Sequence, residues 1–208
     1  MAKKYYAIID VGSNTMRLVI YLREKGGRLR EIENVKAVAR LRNHLQEEGD
    51  LSDEGVRTLL TTLNSFKEVA ESYTLEEMVC VATATIRQAS NQEDIIKKVS
   101  EQTGFDMRIL SEHEEAYYGY LAVVNSTPLT EGITVDIGGG STEVTYFKDR
   151  KLVESHSFPF GALTLKQDFF KKDLPSEDEM SKLRHFLISQ FSTLPWLEKR
   201  NVPLIGIG

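Results

Sequence analysis

Asp136-Ile137-Gly138-Gly139-Gly140-Ser141-Thr142-Glu143 is the stretch on which the reading of this chain turns. The runs Ile133–Ile137 before the glycines and Thr142–Phe147 after them have the branched and aromatic content of two strands, so the glycines make the turn between them. Three consecutive residues without side chains let backbone N–H groups come close to an anion, and Ser141 and Thr142 add hydroxyl donors. An ordinary hairpin turn needs one or two glycines, not three followed by Ser-Thr. Asp136 at the strand end and Glu143 beyond the turn suit a divalent cation that would itself bridge phosphate oxygens.

The same pattern opens the chain. Tyr5–Asp10 and Met16–Leu22 read as strands around Val11-Gly12-Ser13-Asn14-Thr15, with Asp10 at the strand end where the later copy has Asp136. Gly-Ser-Asn alone is common turn chemistry, and its weight comes from the repeat. A repeated strand, Asp-x-Gly, turn and strand predicts two halves of like topology facing each other, a clamp for a phosphate chain and its metal.

Between the two copies, Gly26-Gly27 marks a turn and Leu29–Leu41 a charged third strand region. Ser52 opens a helix whose apolar residues Val56, Leu59, Leu60, Leu63, Phe66, Val69 and Ala70 recur at three and four. Met78–Ala82 is a short buried strand, Asn91 caps a helix that Gly104 ends, Phe105–Leu110 returns as a strand, and a further helix starts at Ser111. Asn-Ser-Thr-Pro-Leu-Thr at 125–130 marks a hinge, which divides the chain into domains 1–125 and 126–208. After the second hairpin come Leu163–Phe170, a helix opening at the capping box Ser176-x-x-Glu179, and a final apolar run from Pro203 to Gly208. A buried strand ending in glycines leads into another turn and helix, so the second domain reads as truncated.

Two more segments carry candidate chemistry. Ser111-Glu112-His113-Glu114-Glu115-Ala116 places three carboxylates in a first helical turn, where they complement the helix dipole, and Ser111 with Glu114 fits a capping box. Glu115 shares a helix face with Gly119 and Ala122, so it can press against neighbouring backbone, lose solvent and gain the proton affinity of a general base. Both readings stand on spacing. Arg87, after the buried strand, reads either as a surface cation or as a loop guanidinium offered to an anion. The basic set from Arg23 to Arg42 is interleaved with glutamates and reads as a solvated sheet face, with Arg40 or Arg42 able to reach a phosphate. The four histidines have no metal-ligand spacing.

Composition narrows the class. The 208 residues hold 26 Lys plus Arg against 31 Asp plus Glu, a net charge of −5, which argues against duplex nucleic acid held by broad phosphate neutralisation but leaves room for a small polyanion. No apolar run approaches the ~20 residues that span a bilayer. The single cysteine, Cys80, excludes disulfides within the chain and cysteine-rich metal sites, reads as a small core residue, and makes a reducing cytoplasm the expected location.

Asp10-x-Gly-Ser-Asn-Thr, Thr85-Ile86-Arg87-Gln88-Ala89, Glu114-Glu115-Ala116 and Asp136-Ile137-Gly-Gly-Gly-Ser-Thr-Glu143, in that order, resemble the exopolyphosphatase and guanosine pentaphosphate phosphohydrolase (Ppx/GppA) family, within the actin-like, sugar-kinase and Hsp70 fold group. The resemblance runs over nearly the whole chain. It implies two α/β domains of ribonuclease-H-like (actin-like ATPase) type, with a mixed five-stranded sheet flanked by helices, the second domain truncated, and a phosphate-binding cleft between them. It also implies hydrolysis of a terminal phosphate from polyphosphate, guanosine pentaphosphate or both, with Mg²⁺, and a homodimer. Glu115 falls on the family's base that activates water, and Asp136 and Glu143 fall on its metal and phosphate site. Gly138, Gly139, Gly140, Ser141 and Thr142 fall on its phosphate loop, and Ser13, Asn14 and Arg87 on further phosphate contacts. Glu112 departs from the family, which often has glycine there, and family chains are typically longer. A non-catalytic sensor of polyphosphate or of guanosine penta- or tetraphosphate is the competing expectation.

Overall fold

The computed structural model describes residues 3–198 and 201–207 and divides the chain into two compact units, Met1–Ser111 and Glu112–Gly208. Each is mixed α/β, as the repeat predicted.

In the first unit, β1 (Lys4–Val11), β2 (Met16–Arg23) and β3 (Leu29–Ala37) form an antiparallel meander. α1 (Asp53–Ala70) then crosses to β4 (Leu75–Ala82), which runs parallel to β1, and α2 (Ala84–Gln88) and α3 (Gln92–Thr103) lead to β5 (Met107–Ile109), parallel to β4. The sheet order is β3-β2-β1-β4-β5, the mixed five-stranded sheet expected of a ribonuclease-H-like unit. β1 alternates, turning Ala7, Ile9 and Val11 into the core while Ile8 and Asp10 are exposed. The Ser52 hydroxyl accepts the Gly55 N–H at 3.2 Å to start α1, whose buried face is the predicted Val56, Leu59, Leu60, Leu63, Phe66 and Ala70.

Several local expectations are corrected. β3 stops at Ala37 instead of running to Leu41, because Leu41, fully buried, pulls the chain into a short 3₁₀ turn, Leu41–His44. Asn91 precedes α3 but does not cap it with its side chain. Its amide instead pairs with both the N–H and the C=O of Leu51, each at 3.0 Å. Gly104, at φ 76°, ends α3 in the left-handed conformation that glycine tolerates. Arg87 sits on the short helix α2 rather than in a loop.

The second unit begins with α4 (Glu112–Ser126), followed by β6 (Glu131–Ile137), β7 (Thr142–Lys148) and β8 (Lys151–Phe158) as a second antiparallel meander. α5 (Ala162–Phe169), α6 (Glu177–Phe191) and β9 (Leu204–Ile207) complete it, and the sheet order is β8-β7-β6-β9 with β9 parallel to β6. The expected strand from Pro203 begins at Leu204, and Gly208 lies outside the described residues. This sheet has four strands, and β8 has no counterpart in the sequence reading.

β7 is buried on both faces. Val144 and Tyr146 join Ile133, Phe158 and Phe160 in one cluster with Leu165, Phe186 and Phe191, while Phe147 joins Tyr120, Val123 and Val124 of α4 in another. That second cluster places α4 in the second unit, so the division falls after Ser111 and not at the hinge expected near 125. Arg150 reinforces it. The β7–β8 turn puts Asp149 and Arg150 at φ 50° and 58°, and the Arg150 guanidinium donates to the carbonyls of Thr127 at 3.1 Å, Leu129 at 3.2 Å and Val124. A cation on the last carbonyls of α4 also complements its dipole.

Candidate active site

The glycine turn between β6 and β7 is closed by the Gly138 N–H donating to the Ser141 carbonyl at 3.0 Å. The β1–β2 turn is closed in the same way, by Gly12 N–H to the Thr15 carbonyl at 3.1 Å. A Cβ at Gly12 would lie 2.7 Å from that carbonyl oxygen, so only glycine fits. The repeat seen in the sequence is therefore a repeat of backbone geometry.

α5 docks on the second turn from below. Ala162 N–H donates to the Gly138 carbonyl at 2.8 Å and Leu163 N–H to the Gly139 carbonyl at 3.0 Å, so helix-start amides are spent on loop carbonyls. No group among the described residues accepts from the amides of Gly139 and Gly140; Gly140 is buried, and the half-buried Gly139 is the one left as a donor for an anion. The approach depends on Gly161, where a Cβ would lie 2.4 Å from the Gly138 oxygen and 2.7 Å from the Gly139 carbonyl carbon. Thr164 fixes Gly161 from both sides: its Oγ1 accepts the Gly161 N–H at 2.7 Å and donates to the Gly161 carbonyl at 3.0 Å. The Thr142 hydroxyl donates inward, to the Phe160 carbonyl at 2.7 Å, so it anchors the loop.

Beside this turn the carboxylates gather. Glu143 is 3% exposed, accepts from the Ser157 hydroxyl at 2.8 Å and also bonds the Ser141 hydroxyl. Burial, then the charge of Glu115, push its carboxyl up to about 7; the two serines oppose that shift and Asp136 adds to it. Burial also raises Asp136 above the ordinary aspartate range. Glu115 is half-buried on α4. One turn on, a Cβ at Gly119 would sit 3.8 Å from Asp136 Oδ2, so the close approach expected of this helix face occurs at Gly119. Ala122, expected on the same face, is exposed. Glu112 is exposed and, with His113, Ser155 and His156, borders a small polar cavity of about 240 Å³.

Glu143 feels the charges of Glu115 and Asp136, and burial raises both Glu143 and Asp136, an electrostatic arrangement that a cation would relieve. Among the described residues no three His, Cys, Asp or Glu side chains come together to hold a metal ion. Asp136 and Glu143 fit a hard cation that takes the rest of its shell from water and phosphate oxygens, the usual manner of Mg²⁺.

The first unit places Ser13, 5% exposed, and Asn14, half-buried, in its own glycine turn. Their carbonyls accept the N–H groups of Arg42 at 2.9 Å and Arg40 at 2.8 Å. Arg87 is half-buried and donates to the Leu110 carbonyl at 2.8 Å. One turn of α2 is thereby fixed to the end of β5. Ser157, Gly161 and Thr164 were missed in the sequence. A glycine four residues after a serine, at the end of an extended run, was the available signal.

Residues 19–205 match the family model described as the Ppx/GppA phosphatase family. Exopolyphosphatase 1 of Mycobacterium tuberculosis is 30% identical over 187 residues, 89% of this chain and 54% of that protein. The chain thus spans about half the length of the curated relatives it matches. The crystal structure of the Aquifex aeolicus Ppx/GppA family member superposes with a TM-score of 0.81 at 32% identity, over 100% of this chain and 67% of that one. An exopolyphosphatase structure from Cytophaga hutchinsonii, 22% identical, shares the fold at a TM-score of 0.88, over 98% of this chain and 66% of that one. The paired glycine turns, the two mixed α/β units and these matches give one assignment: the chain belongs to the Ppx/GppA phosphatase family.

Proposed function

We propose that this chain carries the phosphohydrolase site of an enzyme that removes a terminal phosphate from inorganic polyphosphate, guanosine pentaphosphate or both. The observation that carries the reading is that Glu143 feels the charges of Glu115 and Asp136 beside a turn whose half-buried Gly139 amide has no acceptor among the described residues. The relatives named exopolyphosphatase support the substrate class. Phosphoryl transfer asks the protein for an oriented water, a proton acceptor and positive charge on the phosphate oxygens. The Gly139 amide binds and orients the phosphate, the Ser141 hydroxyl holds Glu143 beside it, and Glu115 takes the proton from water. Mg²⁺ held by Asp136 and Glu143 would supply charge to the phosphate oxygens. In the first unit, Ser13, Asn14 and Arg87 are the proposed phosphate contacts. A reducing cytoplasm is the proposed setting.

One observation favours a second assignment of the base. Glu143 is the carboxyl held near neutrality, where a general base works best. A cation on Glu143 would remove that proton affinity and leave the role to Glu115.

Phosphate release from long-chain polyphosphate and from guanosine pentaphosphate, with Mg²⁺, tests the reading in wild type and Glu115→Gln. The expected result is release by wild type and a loss of about a hundredfold or more in the variant with substrate binding retained. A variant that keeps its rate takes Glu115 out of the reaction and leaves Glu143 as base. Tight binding with no release by wild type would make the protein a sensor.

A further inference from the structure

Glu143 is the middle member of a rung that crosses three strands. Asp136 of β6 stands opposite it on one side and Ser157 of β8 on the other. The matching rung of the first unit reads Asp10, Arg17 and Lys36. Where the first unit sets two cations beside an aspartate, the second sets a glutamate and a hydroxyl. Neighbours on one rung share a face of the sheet, so Ser157 reaches Glu143 across the ladder, and its hydroxyl donates to Glu143 Oε1 at 2.8 Å.

The choice of a hydroxyl decides what the carboxylate can do. A lysine or arginine in the place of Ser157 would hold Glu143 by neutralising it and would compete with a bound cation. A hydroxyl holds it and adds no charge. The side chain of a glutamate has one more rotatable bond than that of an aspartate, and a small hard cation asks for oxygens at near-ideal octahedral positions. Glu143 is fixed from two elements, by Ser157 of β8 and by the Ser141 hydroxyl of the glycine turn. Ser157 is half-buried and also borders the polar cavity of about 240 Å³ lined by α4 and β8, so water can replace its hydroxyl without collapse of the fold.

We propose that Ser157 is a positioning residue of the cation site: it holds the Glu143 carboxylate in the orientation that a hard divalent cation requires and supplies no charge to compete with that cation. This rests on the phosphohydrolase reading, in which Asp136 and Glu143 hold Mg²⁺, and adds to it a residue that sets how tightly the metal is held. Hydrogen-bond partners behind metal ligands are worth about ten- to hundredfold in metal affinity. Ser155 is the natural comparison. It lies two residues earlier on β8, is likewise half-buried and borders the same cavity, but its hydroxyl meets His113 Nδ1 at 3.4 Å and not a carboxylate of the site.

The test follows thermal unfolding of wild type, Ser157→Ala, Ser157→Thr and Ser155→Ala in EDTA and over a range of MgCl₂, without substrate. Phosphate release from long-chain polyphosphate is measured over the same Mg²⁺ range. Ser157→Ala is expected to need about tenfold more Mg²⁺ than wild type for half of its stabilisation and half of its rate. Ser157→Thr, which keeps the hydroxyl, and Ser155→Ala should stay within about threefold of wild type. In EDTA all four proteins should melt within a few degrees of one another, which separates loss of the metal from loss of the fold. A Ser157→Ala requirement equal to that of wild type, or an equal rise in Ser157→Thr or Ser155→Ala, overturns the positioning role and leaves the phosphohydrolase reading intact. A Ser157→Ala protein that melts far below the others in EDTA makes the serine part of the fold and overturns the role as well. So does wild type that releases phosphate without being stabilised by Mg²⁺. Wild type that neither gains stability nor releases phosphate overturns both.

Discussion

Asp136 and Glu143 stand directly opposite each other on the β6–β7 ladder, two carboxylates at one rung. The equivalent rung of the β1–β2 ladder pairs Asp10 with Arg17, opposite charges that a sheet favours. The two units share a backbone device and differ in what it holds. The second unit sets two carboxylates where the first sets opposite charges, with Glu143 buried and Asp136 half-buried, the configuration expected where a bound cation completes the site.

That rung makes stability depend on pH in an unusual direction. Below the ordinary glutamate value of 4.5, Glu143 is protonated in both folded and unfolded chains and costs nothing. As pH rises from there to about 7, the unfolded chain releases the proton and the folded chain retains it, so stability falls across this window and the full penalty is present above it. Glu143→Gln should therefore match wild type near pH 4 and be more stable at pH 8, by about 3 kcal/mol. Urea unfolding of both proteins without divalent cations checks this. A difference that does not grow with pH would mean Glu143 is ionised without cost.

Gly161→Ala should damage the site through the backbone. The new methyl would lie 2.4 Å from the Gly138 oxygen, and because the obstacle is main chain, either α5 or the glycine turn must move. The expected effect is a destabilisation of about 1–3 kcal/mol and at least a tenfold fall in phosphate release. Gly206→Ala is the control, since a Cβ there meets nothing within 4 Å. Thermal unfolding and phosphate release, measured on both, decide it.

What was legible in the sequence was what local chemistry determines. The two glycine hairpins were found because strand period and turn composition agree within a dozen residues, and α1 because its apolar spacing runs for 18 residues behind a serine cap. β8 was not legible: Leu152, Ser155 and Ser157 are half-buried, Phe158 alone is buried, and the charged and small residues between them carry no clean alternation. The place of α4 depends on Phe147 and Arg150, distant in sequence, so a Pro-containing segment after the helix was mistaken for the division. Ser157 meets Glu143 through a β7–β8 register that slips between Tyr146 and Phe147, which counting from either strand does not reveal.

Cys80 should be chemically silent. Burial first, then the charges of Asp10 and Asp106, push its thiol up to about 12, so almost no thiolate exists at pH 8. Iodoacetamide is expected to leave native protein unmodified over hours and to label it fully in denaturant, as intact mass would show. Rapid native labelling would mean that β4 opens readily from the sheet.

Glu115 and Glu143 should titrate as a coupled pair. After burial, the Glu115 charge is the largest influence raising the Glu143 carboxyl, so Glu115→Gln should lower the upper end of the stability window from about 7 toward the ordinary range. It should not reach 4.5, because burial remains. The measurement is the pH dependence of unfolding of Glu115→Gln against wild type, again without divalent cations. It also bears on the choice of base. Removing Glu115 both takes away one candidate and lowers the proton affinity of the other, so a rate loss alone does not separate them. If Glu143 were the base, the pH–rate curve of Glu115→Gln would keep its shape and move to lower pH by the shift seen in unfolding. If Glu115 is the base, the rate falls at every pH and the curve of the residual activity no longer follows that shift. An unfolding window that does not move would mean the two carboxylates do not sense each other, and the site built from them would fail.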